Sequence, residues 1–346
     1  MKRRGTMSLK RAAALTSAAV NIIRKRPVLA IFDVTKHCNQ RCPMCNIPDN
    51  QAPEMSLDEI KNLVKKLRKF GIGYVFLQGG EPLIRKDIID IADAFISEGI
   101  KPTIITNGVL LTREISVQLA ERKCNVAISF DSFDRDNYSF LRGSDDMPAV
   151  EKNIRAVASI PERKGNWSVT TTVSKKSDLN DIIKIYDFAR DLGFMFAIRP
   201  YISVLGTAGK YCGDLSYSGS DIAGIFEHFR EIAKKENYLA SLIYDYHIRY
   251  INGEAMPECD AMKYSFLVRE SGKIAPCIEY PKTEIDISDF QGEKKKCRGM
   301  LIECNREHPC FYNDAREIGI IVRSFPKIIL HAPQIIAQMI RLGNFF

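Results

Sequence analysis

Leu29-Ala-Ile-Phe-Asp-Val-Thr-Lys-His-Cys38-Asn-Gln-Arg-Cys42-Pro-Met-Cys45 joins an apolar, strand-like run to a loop carrying three closely spaced thiols. The first part sets the fold. Comparable runs recur downstream at Tyr74 to Leu77, Pro102 to Thr106, Val126 to Phe130, Ser168 to Val173 and Phe196 to Arg199. Helical patterns separate them, near Leu57 to Phe70, Ile84 to Ile96, Thr112 to Glu121, Ala149 to Ser159 and Leu179 to Leu192. Ser56 with Glu59 three residues on reads as a capping box, and Gly193 as the residue that ends the last of these helices. Strands alternating with helices argue for repeated βα units around a parallel sheet. The fold class expected is therefore α/β, a partial (β/α)6 barrel whose ligand site lies at the carboxyl ends of its strands, with a small irregular cysteine-rich C-terminal module and helical ends. A glycine-rich loop, Gly206 to Gly219, and a helix over Ile222 to Lys235 complete or cap that core.

The second part of the quoted stretch sets the chemistry. Three thiolates on a CxxxCxxC loop can hold three corners of an iron–sulfur cubane and leave the fourth iron open to a ligand. A structural zinc site is the bland alternative, but it would want a fourth close ligand, and His37 reads as a loop residue. In this loop the chain resembles the radical S-adenosylmethionine (SAM) superfamily, and the resemblance runs over about residues 29 to 200 with a weaker extension to residue 312. It implies a [4Fe-4S] cluster on Cys38, Cys42 and Cys45 that binds SAM and cleaves it reductively to a 5′-deoxyadenosyl radical. It also implies a reductant such as a flavodoxin or ferredoxin. Met44 stands where relatives often carry an aromatic residue near adenine, and a thioether can cover that ring as well.

The rest of a SAM pocket follows by resemblance at successive strand ends. Gly79-Gly80-Glu81-Pro82 matches the family's GGEP motif, with Glu81 facing the methionine ammonium. Asn107, in Thr106-Asn107-Gly108, faces the pocket. Ser129 and Asp131 match the ribose-contacting segment, an N-cap role being the alternative for Asp131. Arg142, read as part of a loop before the next helix, takes the place of an arginine that pairs with the SAM carboxylate. Arg199, at the end of the sixth strand with Tyr201 nearby, points toward where substrate would lie and either holds an anion or closes a salt bridge inside the barrel.

Further along, Cys259, Gly272 and Cys277 form C-x12-G-x4-C, followed by Cys297, Cys304 and Cys310. This pattern resembles the opening of SPASM and twitch extensions, with the glycine turning a hairpin. Five cysteines fall short of a full SPASM set, so the resemblance implies one auxiliary [4Fe-4S] cluster on Cys259, Cys277 and two of Cys297, Cys304 and Cys310. Zinc in the same thiolates is the alternative. Cys124 and Cys212 read as small buried hydrophobes.

Composition narrows the partners. Eight of the ten cysteines fall in two groups, which argues for metal binding in a reducing, cytoplasmic compartment rather than disulfides. The charge of +8 is not interleaved with aromatic residues as a nucleic-acid platform requires, so no nucleic acid is expected. An amphipathic helix is expected over residues 1–27, with Leu15, Ala18, Ala19, Ile22 and Ile23 on one side. The barrel core is expected over 28–240, the SPASM/twitch-like module over 255–312 and a helical tail over 313–346. No stretch is long and apolar enough to span a bilayer. The two ends either pack on the barrel or lie together on the inner face of a membrane. The substrate is unidentified: a peptide or protein side chain leads, a lipid, isoprenoid or other small molecule is the rival, and a non-catalytic iron–sulfur scaffold is the reading from another class.

Overall fold

The computed structural model describes residues 9–341 apart from 50–52, 162, 164, 203–209, 279, 281–284, 291–309 and 312. Cys297, Cys304, Gly206 and Gly209 lie outside the described residues.

A helix α1 (Leu9–Ile23) precedes the βα series, which runs β1 (Leu29–Thr35), α2 (Leu57–Phe70), β2 (Tyr74–Gly79), α3 (Ile88–Ser97), β3 (Lys101–Thr106), α4 (Arg113–Glu121) and β4 (Asn125–Ser129). It continues through α5 (Arg135–Arg142), α6 (Met147–Ala158), β5 (Trp167–Val173), α7 (Leu179–Asp191), β6 (Met195–Pro200), α8 (Gly219–Glu236) and α9 (Tyr238–Ile251). The strands β7 (Ser265–Val268) and β8 (Ile274–Ala275) and the helices α10 (Asn313–Arg323), α11 (Phe325–Leu330) and α12 (Ala332–Arg341) end the chain. The sheet has the order β6-β5-β4-β3-β2-β1-β7-β8, parallel except for the β7–β8 hairpin, and it does not close on itself. This is the expected partial barrel, widened by one parallel strand.

Alternation along the strands makes two faces. Phe32, Leu77, Ile104, Val126, Ile128 and Val169 are fully buried against the helical layer. Their neighbours Gln78, Thr103, Ser129, Thr170 and Thr172 point the other way and are half-buried, so the concave side is polar and reachable. Local signals hold where expected. Ser56 and Glu59 form the capping box, and Gly193 turns left-handed with φ +72° after α7.

Four expectations need correction. The helix expected from Ile84 begins only at Ile88: Ile84 closes a single 3-10 turn, Pro82–Ile84, which Glu81 caps. Arg142 is not in a loop but ends the two-turn helix α5, capped by Asp134 on the Asn137 amide and stopped by Gly143 at φ +62°. The segment after Cys259 is not wholly irregular, since β7 joins the barrel sheet alongside β1 in register, with Ile31 opposite Leu267. On α1 the side chain of Leu15 lies outside the described residues, and among those described Ala18 and Asn21 are buried whereas Ala19 and Ile23 are exposed; the amide of Asn21 docks the helix by donating to the carbonyls of Pro27 and Phe70.

Candidate active site

The cysteine loop leaves β1 at its carboxyl end and is gripped from two sides. Gly80 and Glu81 donate their amides to the carbonyls of Thr35 and His37 at 2.9 and 2.8 Å. That approach leaves no room for a side chain, since a Cβ on Gly80 would stand 2.1 Å from the His37 oxygen. On the other side a Cβ on Gly143 would stand 2.1 Å from the Arg41 oxygen. Glycine at both places is thus a packing requirement.

Within the loop the Cys45 amide donates to the Cys42 carbonyl at 3.1 Å, and Gln40 ties the loop to Ser144 at 3.2 Å. The three thiols lie close enough to raise one another's pKa. Burial is the larger cause, pushing Cys45 up to about 12. At Cys42 the same burial is opposed by the Arg142 guanidinium.

Arg142 itself is buried, with Nη2 2.7 Å from Asp131 Oδ2. Asp131 also accepts the Thr172 amide at 2.7 Å, and burial raises its pKa despite the arginine. The carboxylate expected to meet a ribose is thus occupied in holding Arg142, and the N-cap of α5 is Asp134 instead. Sequence reasoning missed this pair because its members lie in different βα elements.

Glu81 is likewise engaged. Its Oε1 accepts from the Leu83 amide at 3.0 Å and the Thr106 hydroxyl at 2.8 Å, and its Oε2 accepts the Asn107 amide at 2.7 Å. With 1% of its surface exposed, it has a pKa lifted to about 7 by burial. Asn107 turns its own amide to Asn39 at 2.7 Å, with Cys38 Sγ at 4.0 Å. Ser129 stays half-buried on the concave face. Met44 packs toward Leu141, Tyr201 and Leu215.

The loop is braced from below by an unforeseen buried network. Lys36 lies 3.3 Å from Asp33 and 3.4 Å from Glu270, a residue of the β7–β8 turn. Arg199 closes a salt bridge, but to Glu317 of the tail helix α10 rather than to a residue of the barrel. Tyr201 is buried, and its hydroxyl accepts the Cys212 amide at 2.9 Å and donates to the Lys210 carbonyl.

Of the second cysteine group, Cys259, Cys277 and Cys310 are described. The β7–β8 hairpin does turn at Gly272, φ +80°. Cys259 neighbours Arg316 and Arg323, and Tyr250 neighbours both Cys310 and Arg316. Cys124 is fully buried in the core as expected, whereas Cys212 is only half-buried where it packs beside Tyr201. Among the described residues no three His, Cys, Asp or Glu side chains converge as a single-ion site. A cubane asks for something else, one thiolate on each of three irons, and three neighbouring thiols on one pinned loop fit that demand.

Comparison with known proteins decides the class. Residues 32–189 match the radical SAM superfamily. These residues are a radical SAM domain. This family uses a [4Fe-4S] cluster and SAM, and Cys38, Cys42 and Cys45 are the thiols that fit the cluster. The radical SAM chain is 29% identical over 214 residues to the AdoMet-dependent heme synthase of Methanosarcina barkeri, covering 60% of this chain and 59% of that protein. It is 24% identical over 302 residues to a probable GTP 3′,8-cyclase of Methanothermobacter thermautotrophicus, covering 83% and 97%. A shorter match, 35% over 108 residues, is to the PqqA peptide cyclase of Bradyrhizobium diazoefficiens, covering 30% and 28%. Among solved structures, Streptococcus suis SuiB bound to its precursor peptide SuiA has the same fold, with a TM-score of 0.63 at 16% identity over 84% of this chain and 72% of that one.

Proposed function

We propose that this radical SAM enzyme abstracts hydrogen from a peptide or protein side chain bound on the concave face of its sheet. Cys38, Cys42 and Cys45 would hold the cluster, which with SAM would supply the electron transfer and the hydrogen abstraction. The Gly79 to Pro82 turn and Asn107 shape the methionine end of the SAM pocket, Met44 and Ser129 its nucleoside end. Arg142, held by Asp131, supplies positive charge beside Cys42. Cys259, Cys277 and two of Cys297, Cys304 and Cys310 hold one auxiliary cluster, and a small redox protein delivers the electron.

One observation carries this reading: three thiols are pinned between Gly80 and Gly143 at the carboxyl end of a sheet whose concave side is polar and reachable. The peptide assignment draws on the PqqA peptide cyclase match and on the fold shared with SuiB. A polar small molecule is the second reading, favoured by the match along 97% of the GTP 3′,8-cyclase.

The test is anaerobic reconstitution followed by dithionite, SAM and candidate peptides from neighbouring genes. Production of 5′-deoxyadenosine that rises with one peptide, alters its mass and disappears in Cys42→Ala is the expected result. SAM cleavage stimulated only by a nucleotide or a porphyrin would remove the peptide reading.

A further inference from the structure

Both ends of the chain dock on the same pole of the barrel. On α1, Lys10 Nζ donates to the Ser97 carbonyl at 2.8 Å and Asn21 Nδ2 to the Phe70 carbonyl at 3.1 Å, the last carbonyls of α3 and α2. On α12, Gln334 and Gln338 donate to the carbonyls of Lys234 and Lys235 at 2.7 and 2.9 Å, the end of α8. In a βα unit the helix returns to the start of the next strand. Phe70 and Ser97 accordingly stand just before β2 and β3. Likewise α8 descends past the beginning of β6, with Phe229 5.3 Å from Phe196. The anchored pole is therefore the one opposite the cysteine loop.

Charge and exposure are both unusual there. Residues 1–32 contain eight Lys and Arg and no Asp or Glu, and residues 318–346 contain three and none. The net +8 of the chain thus originates at its ends. Beside exposed Arg24, Lys25 and Lys327 stand apolar side chains turned to solvent: Ile23 is 80% exposed, Phe325 60%, Ile329 58% and Leu330 79%. Glu98 pairs with Lys10 at 3.6 Å, but the two terminal segments themselves carry only cations among their apolar anchors, a composition that fits an anionic lipid surface. A symmetric contact with a second copy would set the same cations against each other.

We propose that this pole docks on an anionic bilayer, with Ile23, Phe325, Ile329 and Leu330 entering the headgroup region and the flanking Lys and Arg meeting lipid phosphates. Among the described residues no helix is long and apolar enough to cross a membrane, so the contact is peripheral. The active-site mouth then faces away from the lipid, about 20 Å off for a sheet of this strand length, and takes its substrate from the aqueous side.

The test is flotation of the full-length protein with phosphatidylcholine vesicles and with phosphatidylcholine–phosphatidylglycerol vesicles. Binding to the anionic vesicles alone, weakened by salt, is expected. Phe325→Ser/Leu330→Ser should weaken it at least about tenfold, as should Arg24→Glu/Lys327→Glu, while circular dichroism stays unchanged. Cys42→Ala should float like the wild type, which separates docking from radical chemistry. Equal behaviour on both vesicle types, unchanged flotation of both double variants, or sedimentation showing a dimer that these variants dissolve would overturn the proposal.

Discussion

The two cysteine groups rest on different kinds of scaffold. Cys38, Cys42 and Cys45 share one short loop, clamped by backbone hydrogen bonds to the Gly80 turn and backed by a buried guanidinium. Cys259 and Cys277 are separated by a hairpin, and the first strand of that hairpin is part of the barrel sheet. A site built from neighbours in sequence announces its chemistry through spacing. A site assembled from distant segments depends on how the sheet gathers them, and its ligand set cannot be read from spacing alone. The first group should therefore fail through its supports, and the second through its connection to the barrel.

The largest effect should come from Arg142. Replacing it with Met leaves Asp131 buried without its cation and should cost about 3–5 kcal/mol of stability, read by urea unfolding of the cluster-free protein. Asp131→Leu added to Arg142→Met should recover most of that loss, since removing both partners of a buried pair is often close to neutral. A single variant that unfolds like the wild type would show that the pair gives the loop no support.

What the sequence revealed follows the same division. The six core strands, the helix Leu57–Phe70 and the cysteine loop were legible because alternation, capping and spacing act over a few residues. Helix α5 was not, since its eight residues carry Tyr138 and Leu141 as their buried apolar pair among polar neighbours, too short a pattern to stand out from a loop. Nor was the partnership of Glu81 with Thr106 and Asn107, which exists only once β2 and β3 lie side by side. Strand β7 was hidden for a related reason, its four residues gaining a partner only when the barrel brings β1 alongside.

The next effect concerns pH. Burial lifts Glu81 to about 7, against about 4.3 for an unfolded glutamate. Between those values the folded state binds more protons than the unfolded one. Stability should therefore fall as pH rises from about 5 to 7, by at most about 1.4 kcal/mol per pH unit, and level off above. Glu81→Gln should remove this contribution. Asp33 and Asp131 are also raised by burial, so the informative quantity is the wild-type minus variant difference in urea midpoint across the pH series. A difference that does not change with pH would mean that Glu81 is already ionised at pH 5.

The smallest effect probes whether the two regions are independent at all. Glu270 lies in the β7–β8 turn, yet its carboxylate sits 3.4 Å from the Lys36 ammonium, two residues before Cys38, and its carbonyl accepts the Met55 amide at 3.1 Å. Lys36 faces two buried carboxylates, so Glu270→Gln leaves it paired with Asp33 and should cost only about 1 kcal/mol. The coupling should appear in a double-mutant cycle of Glu270→Gln with Lys36→Met, as a non-additivity of roughly 1 kcal/mol. Strict additivity would make the second region a mere attachment. A measurable coupling means that the hairpin following Cys259 helps to hold the loop that carries Cys38, so that disturbing one cysteine group should loosen the other.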